Sequence, residues 1–265
     1  MLKKLIHDIK AIYLICGYKL AFKWGWNIFT NITTIVKQRN LSIADALMGC
    51  GPFSIKIDDL MFKVGIPQGT KGMPFAGIRE MYARNVYLAE DFRIKDGALV
   101  LDLGANMGNF SNLALAHHDS VRVIAVEPSF LLNQYFDYSL NLNGWRDRAL
   151  LLRGFIGGLP DKAVSSDYKD AKTIEQNEII THCAGRRIDF MKCDIEGGEY
   201  QFLSNHSLLD ITDMLAMEIH AFAGSPKEFI QFLKGIGFVI KRIQNDPDGT
   251  CTILAYRNKS NLVMI

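Results

Sequence analysis

Apolar runs in this chain end repeatedly on acids. Leu99-Val-Leu-Asp-Leu-Gly-Ala-Asn-Met-Gly-Asn-Phe-Ser111 carries a strand into Asp102; Gly104 and Gly108 then bracket a tight turn, and a helix begins. Glycines there let backbone approach a ligand, and a helix start offers free N–H groups. The loop reads GxxxG, one position short of the dinucleotide fingerprint GxGxxG. Asp102 would repel a pyrophosphate but suits a ligand bearing an amino group and a sulfonium. The plainer reading is a strand–turn–helix whose glycines serve only the turn. Val123-Ile-Ala-Val-Glu-Pro128 ends a second strand on Glu127, about two dozen residues after the loop, where an acid can accept both hydroxyls of a ribose. The two segments together point to an adenosine-containing cofactor.

Asp189-Phe-Met-Lys-Cys-Asp-Ile-Glu-Gly-Gly-Glu199 puts Asp194 and Glu196 at the C-terminal end of a buried strand, where open α/β sheets keep their active sites. Its plainer reading is a salt-bridged pair with Lys192, because buried charge is costly unpaired. Met217-Glu-Ile-His-Ala221 sets His220 at the end of the neighbouring strand. A lone histidine is more often structural than catalytic; the position beside the Asp194 strand makes His220 a site candidate. Asp194, Glu196 and His220 have the chemistry of divalent-cation ligands, but no metal is expected.

The elements that must carry these residues alternate. Strands are predicted over 98–103, 121–126, 150–155, 188–193 and 214–219, with helices over 109–116, 130–142, 200–205 and 226–235. Two closing strands, 238–244 and 250–257, flank a turn at Asn245-Asp-Pro-Asp-Gly249. That order predicts an α/β fold, a mostly parallel sheet with helices on both faces, whose terminal hairpin inserts an antiparallel last strand. Ahead of it, a β-hairpin is expected within 52–65, then a Gly/Pro-rich loop over 65–77 and a helix over 78–88. Leu159 to Arg187, the least periodic stretch, reads as an insertion.

The formal charge of +2 over 265 residues conceals a split. Residues 1–40 hold seven Lys/Arg against Asp8 alone and carry +6; the remainder carries −4. A mildly acidic body argues against non-specific nucleic-acid binding. Leu2, Leu5, Ile6, Ile9, Ile12, Tyr13 and Cys16 share one helical stripe, with Lys3, Lys4 and Lys10 off it. Residues 1–45 are therefore read as a basic amphipathic helical arm, and 46–265 as the main domain with its cofactor-binding core from residue 96. The arm packs on the body, pairs with a second subunit, or lies on a membrane with Lys19, Lys23, Trp24 and Trp26 at headgroup level. No transmembrane span is predicted. Five scattered cysteines without a CxxC pair fit neither a disulfide framework nor zinc, and a cytoplasmic protein, peripheral at most to a membrane, is expected.

In VLDLGANMGNFS, VIAVEPSFLLNQYFDYSLNLN, DFMKCDIEGGEYQFL and MEIH the chain resembles the FkbM family of S-adenosylmethionine-dependent methyltransferases, from about Phe53 to Tyr256. The resemblance implies the class I methyltransferase fold, a Rossmann-like seven-stranded sheet with an antiparallel last strand. It implies S-adenosyl-L-methionine as cofactor and O-methylation of a hydroxyl on a sugar, glycan or secondary metabolite. Carried over by position, Asp102 and the loop Gly104, Ala105, Asn106, Gly108 would hold the methionine part of the cofactor. Glu127 would bind its ribose; Asp194 and Glu196 would line the methyl-transfer site. Cys193 and Gly197-Gly198 depart mildly from the family's pattern. A hydroxyl acceptor must lose its proton, and Asp194 or His220 is the candidate base. The competing readings are a protein or RNA methyltransferase, a nicotinamide-dependent oxidoreductase (opposed by the missing GxGxxG), and a silent cofactor-binding module.

Overall fold

The computed structural model describes residues 2–84, 87, 88, 92–156, 166–168 and 170–258. The chain starts with four helices, α1 (Leu2–Cys16), α2 (Tyr18–Thr30), α3 (Ile32–Gln38) and α4 (Ser42–Ala46). Gly17, at φ 82°, separates the first two, a conformation that costs glycine little. A hairpin follows, β1 (Phe53–Ile57) paired antiparallel to β2 (Leu60–Val64). Next come α5 (Pro74–Ile78) and a π-helical turn over Arg79–Ala83. The helix expected over 78–88 thus begins four residues earlier and ends at Ala83. Pro74, at the first helical position, gives up no helical hydrogen bond there. Gly77 is needed because a Cβ would fall 2.0 Å from the Asn109 side chain.

The core then runs β3 (Leu99–Leu103), α6 (Asn109–His117), β4 (Arg122–Val126), α7 (Phe130–Asn143), β5 (Ala149–Leu152), β6 (Gly154–Ile156), β7 (Lys172–Ile174), α8 (Gln176–His182) and β8 (Ile188–Cys193). After a 3-10 turn over Gly198–Leu203 come α9 (Ser207–Asp210), β9 (Thr212–Ile219), α10 (Pro226–Gly235), β10 (Phe238–Asn245) and β11 (Cys251–Arg257). Seven strands form one sheet in the order β10-β11-β9-β8-β3-β4-β5. β11 alone runs against its neighbours β9 and β10, while β9, β8, β3, β4 and β5 pair in parallel. The expected sheet is therefore present. The expected strand 150–155 is in fact two: Ala149–Leu152 joins the main sheet, and beyond Arg153 the chain turns away to pair with β7. The stretch read as an insertion contains β7 and α8; its first residues, 159–165, lie outside the described set.

Both faces of the sheet are covered. Val100, Val123, Phe190 and Ala216 pack with the arm, the hairpin, α6 and α7. Leu101, Ile124, Met191 and Leu215 pack with α8, α9 and α10. Strand residues two apart share a face, so these alternate positions build two cores and leave the strand ends to carry the polar groups.

Candidate active site

The site lies where β3, β8, β9 and β4 end. Asp102 and Lys192 are direct neighbours across β3 and β8, which explains their contact. Asp102 is fully buried: Oδ2 accepts from Ser111 Oγ at 2.6 Å, and Lys192 Nζ stands 3.5 Å from Oδ1. Among the described residues Oδ1 accepts no hydrogen bond. Lys192 donates to the Gly104 carbonyl at 2.6 Å and lies 3.7 Å from Asp194. Burial works against its charge, but Asp102 and Asp194 outweigh it, and its pKa ends above the ordinary value.

The loop after β3 is fixed by its neighbours. Gly104 and Ala105 both donate to the Val126 carbonyl. Gly104, Asn106 and Gly108 have positive φ. A Cβ on Gly104 would lie 1.8 Å from the Asp194 carbonyl oxygen, and one on Gly108 2.0 Å from the Phe136 ring. These glycines are therefore required by protein packing before any ligand is considered. Glu127 accepts from the Asn106 N–H at 2.8 Å and the Ser129 N–H at 2.9 Å. Burial raises its pKa against those hydrogen bonds. A carboxylate has about four acceptor positions, so two remain for hydroxyls.

Asp194 follows β8 directly. The Tyr87 hydroxyl reaches Asp194 Oδ2 at 3.2 Å and Glu218 Oε2 at 3.3 Å; one phenol proton serves one carboxylate at a time. Burial, then Asp194 and Glu218, push that phenol pKa well up, so it remains a donor. Burial and Asp194 likewise raise Glu218. His220 Nε2 faces Glu196 at 3.5 Å, Glu218 at 3.8 Å and Asp194 at 4.0 Å. Its Nδ1 lies 3.0 Å from Oε1 of Glu199, a fully buried carboxylate that also accepts the His220 and Gly197 N–H groups. The hydrogen bond to Glu199, helped by the charges of Glu199, Asp194 and Glu196 and resisted by burial, raises His220 to about 9. At neutral pH His220 is an imidazolium held among carboxylates.

The structure thus brings Asp194, Glu196 and His220 together, with Gly104 against the Asp194 carbonyl and Asp102 linked to Asp194 through Lys192; Glu127 stands one strand further along. Ligand atoms of Asp194, Glu196 and His220 lie within 4.8 Å of one another, so they could hold a divalent cation. Sequence reasoning missed Glu199, Glu218 and Tyr87. Glu218 was within reach, because it lies two residues before His220 and hence on the same strand face.

A seven-stranded sheet with β11 reversed, carrying a glycine loop and acids at its strand ends, is the class I methyltransferase architecture. The chain belongs to the FkbM methyltransferase family: the model of the methyltransferase FkbM domain matches residues 102–240. Similar folds include a putative SAM-dependent methyltransferase from Streptococcus mutans (13% identity, TM-score 0.48, covering 77% of this chain and 55% of that one). Others are the N-terminal domain of human METTL16 in complex with SAH (12%, 0.44, 74% and 75%) and a putative RNA methyltransferase from Pyrococcus horikoshii (16%, 0.44, 71% and 85%). Identities this low say nothing of the acceptor. No curated protein matches the sequence.

The protein is an S-adenosylmethionine-dependent methyltransferase. Its residues fit that cofactor: Asp102 Oδ1 is a buried acceptor with no hydrogen bond among the described residues, and Glu127 retains acceptor capacity beside the loop.

Proposed function

We propose that the chain is an O-methyltransferase acting on a hydroxyl of a sugar, glycan or secondary metabolite, with residues 1–45 as an arm on a methyltransferase domain spanning 46–265. Asp102 with the Gly104–Gly108 loop would hold the amino-acid part of the cofactor and Glu127 its ribose; the bound cofactor supplies an electrophilic methyl group on a sulfonium. The observation that carries the reading is Asp194, a part-exposed carboxylate at the end of β8 whose backbone carbonyl abuts Gly104.

Direct displacement at a methyl group asks the enzyme mainly to align donor and acceptor. Asp194 is the better of the two base candidates. His220, raised to about 9, carries its proton at neutral pH and cannot take another. Asp194 would accept the hydroxyl proton as the new O–C bond forms. His220 would position Asp194 and Glu196 by its charge, and Glu199 would fix the ring. Tyr87 would stand between Asp194 and Glu218 and donate its proton to one or the other. The −4 body speaks against an RNA acceptor.

Labelled methyl transfer to cell-envelope glycans, lipid-linked sugars and small hydroxylated metabolites, run beside RNA and protein, tests this reading. Label appearing only on RNA or protein would overturn it. Calorimetry with S-adenosylhomocysteine and with NAD separately tests the cofactor site, and only the former should bind.

A further inference from the structure

We infer that the arm docks the protein on an anionic lipid surface. α1 and α2 each bury one face: Ile12, Ile15, Ala21, Trp24 and Ile28 lie against the body, and Trp24 Nε1 donates to Asp45 at 2.8 Å. The opposite face has no cover among the described residues. Tyr18, Phe22, Trp26 and Phe29 recur every three or four residues along one face of α2, with Leu14 of α1 beside them, and each is more than half exposed. With Tyr13 they border an apolar groove of about 670 Å3. Exposed apolar patches of this kind on soluble proteins mark interaction sites.

Charge decides what the patch fits. Lys10, Lys19 and Lys23 are exposed on the same two helices, and Lys37 and Arg39 follow on the next segment. The two acids within the first 45 residues, Asp8 and Asp45, are both buried. Asp8 meets Arg84 at 2.8 Å, and Asp45 meets Arg79 at 2.9 Å. The solvent side of the arm is therefore apolar and cationic, with neither of the arm's own acids exposed on it. A two-fold second copy would set this surface against itself and bring its lysines together, a like-charge contact that disfavours association. A bilayer with anionic headgroups answers both halves: aromatic and aliphatic side chains enter the headgroup boundary, and lysines pair with phosphates. No helix among the described residues is long and apolar enough to span a membrane, so the contact is one of lying on the surface.

Co-sedimentation of the full chain with phosphatidylcholine vesicles, with and without phosphatidylglycerol, tests the inference. Binding is expected only to the anionic vesicles and should weaken as salt is raised. The pair Phe22→Glu and Trp26→Glu, both at exposed positions, should lower partitioning at least about 100-fold. Lys10→Glu with Lys19→Glu should abolish the preference for anionic lipid. S-adenosylhomocysteine affinity, unchanged in every variant, shows that the body is folded and separates this test from that of the methyl acceptor. Equal sedimentation of wild type and Phe22→Glu/Trp26→Glu would overturn the inference. So would absence of vesicle binding in a chain that light scattering finds dimeric and the same pair makes monomeric.

Discussion

Beneath the arm, Asp8 and Asp45 lie against Arg84 and Arg79; at the strand ends, Asp102 and Asp194 lie against Lys192, and Glu199 against His220. Both clusters are buried ion-pair networks built from distant parts of the sequence. Under the arm, three acids (Asp8, Asp45 and the more exposed Glu80) meet two arginines, so one acid is in excess. At the strand ends, five acids surround two cations, and the excess, Asp194, Glu196 and Glu218, is where the cluster opens to solvent. Burial of charge alone therefore does not mark a site. What sets the strand ends apart is a surplus of three acids converging at one accessible edge.

The largest expected effect breaks the strand-end cluster. Asp194→Asn should lower turnover by about 10²–10⁴-fold while S-adenosylhomocysteine affinity is kept. Asp45→Asn, the matching change under the arm, should cost about 3–5 kcal/mol of stability and leave turnover per folded molecule intact. Chemical unfolding and steady-state rates on both variants check the pair; a wild-type rate for Asp194→Asn would remove it as the base.

A smaller effect concerns His220. With His220 as a cationic positioning group, turnover is flat through neutrality and declines as pH passes about 9. With His220 as the base, turnover would instead climb to a plateau above that pH. Glu199→Gln removes the carboxylate that raises His220 and should bring the inflection down towards the ordinary value of 6.5. Stability follows the same linkage. The folded state holds the His220 proton more tightly than the unfolded chain, so its contribution is full below about pH 6.5 and is lost as pH rises through about 9. Thermal unfolding across that range, compared with Glu199→Gln, reads this directly.

The smallest expected change is none at all: EDTA should leave turnover unaltered, and a loss restored by added Mg2+ would reassign Asp194, Glu196 and His220 as metal ligands.

Much of this was legible beforehand because open parallel sheets end apolar strands on their functional side. An acid after Leu99–Leu101, after Val123–Val126 or after Met191–Cys193 therefore stands out, which singles out Asp102, Glu127 and Asp194 as candidates. Glu199 was not, since it sits in a 3-10 turn and its partner is 21 residues away. Nor was Tyr87, whose carboxylate partners lie 107 and 131 residues on. Neither residue carries a periodic signal, and only tertiary packing gives them neighbours. The Gly/Pro-rich stretch before Ile78 misled in the other direction: Pro74 and Gly77 are poor helix formers, yet one starts α5 and the other makes room for Asn109.

The contact between Gly104 and the Asp194 carbonyl ties the loop proposed to hold the donor to the acid proposed to face the acceptor, without space for one added carbon. Neither can be displaced independently of the other. On the proposed assignment, reshaping the β3 or β8 end to admit a different acceptor would disturb the methyl donor as well.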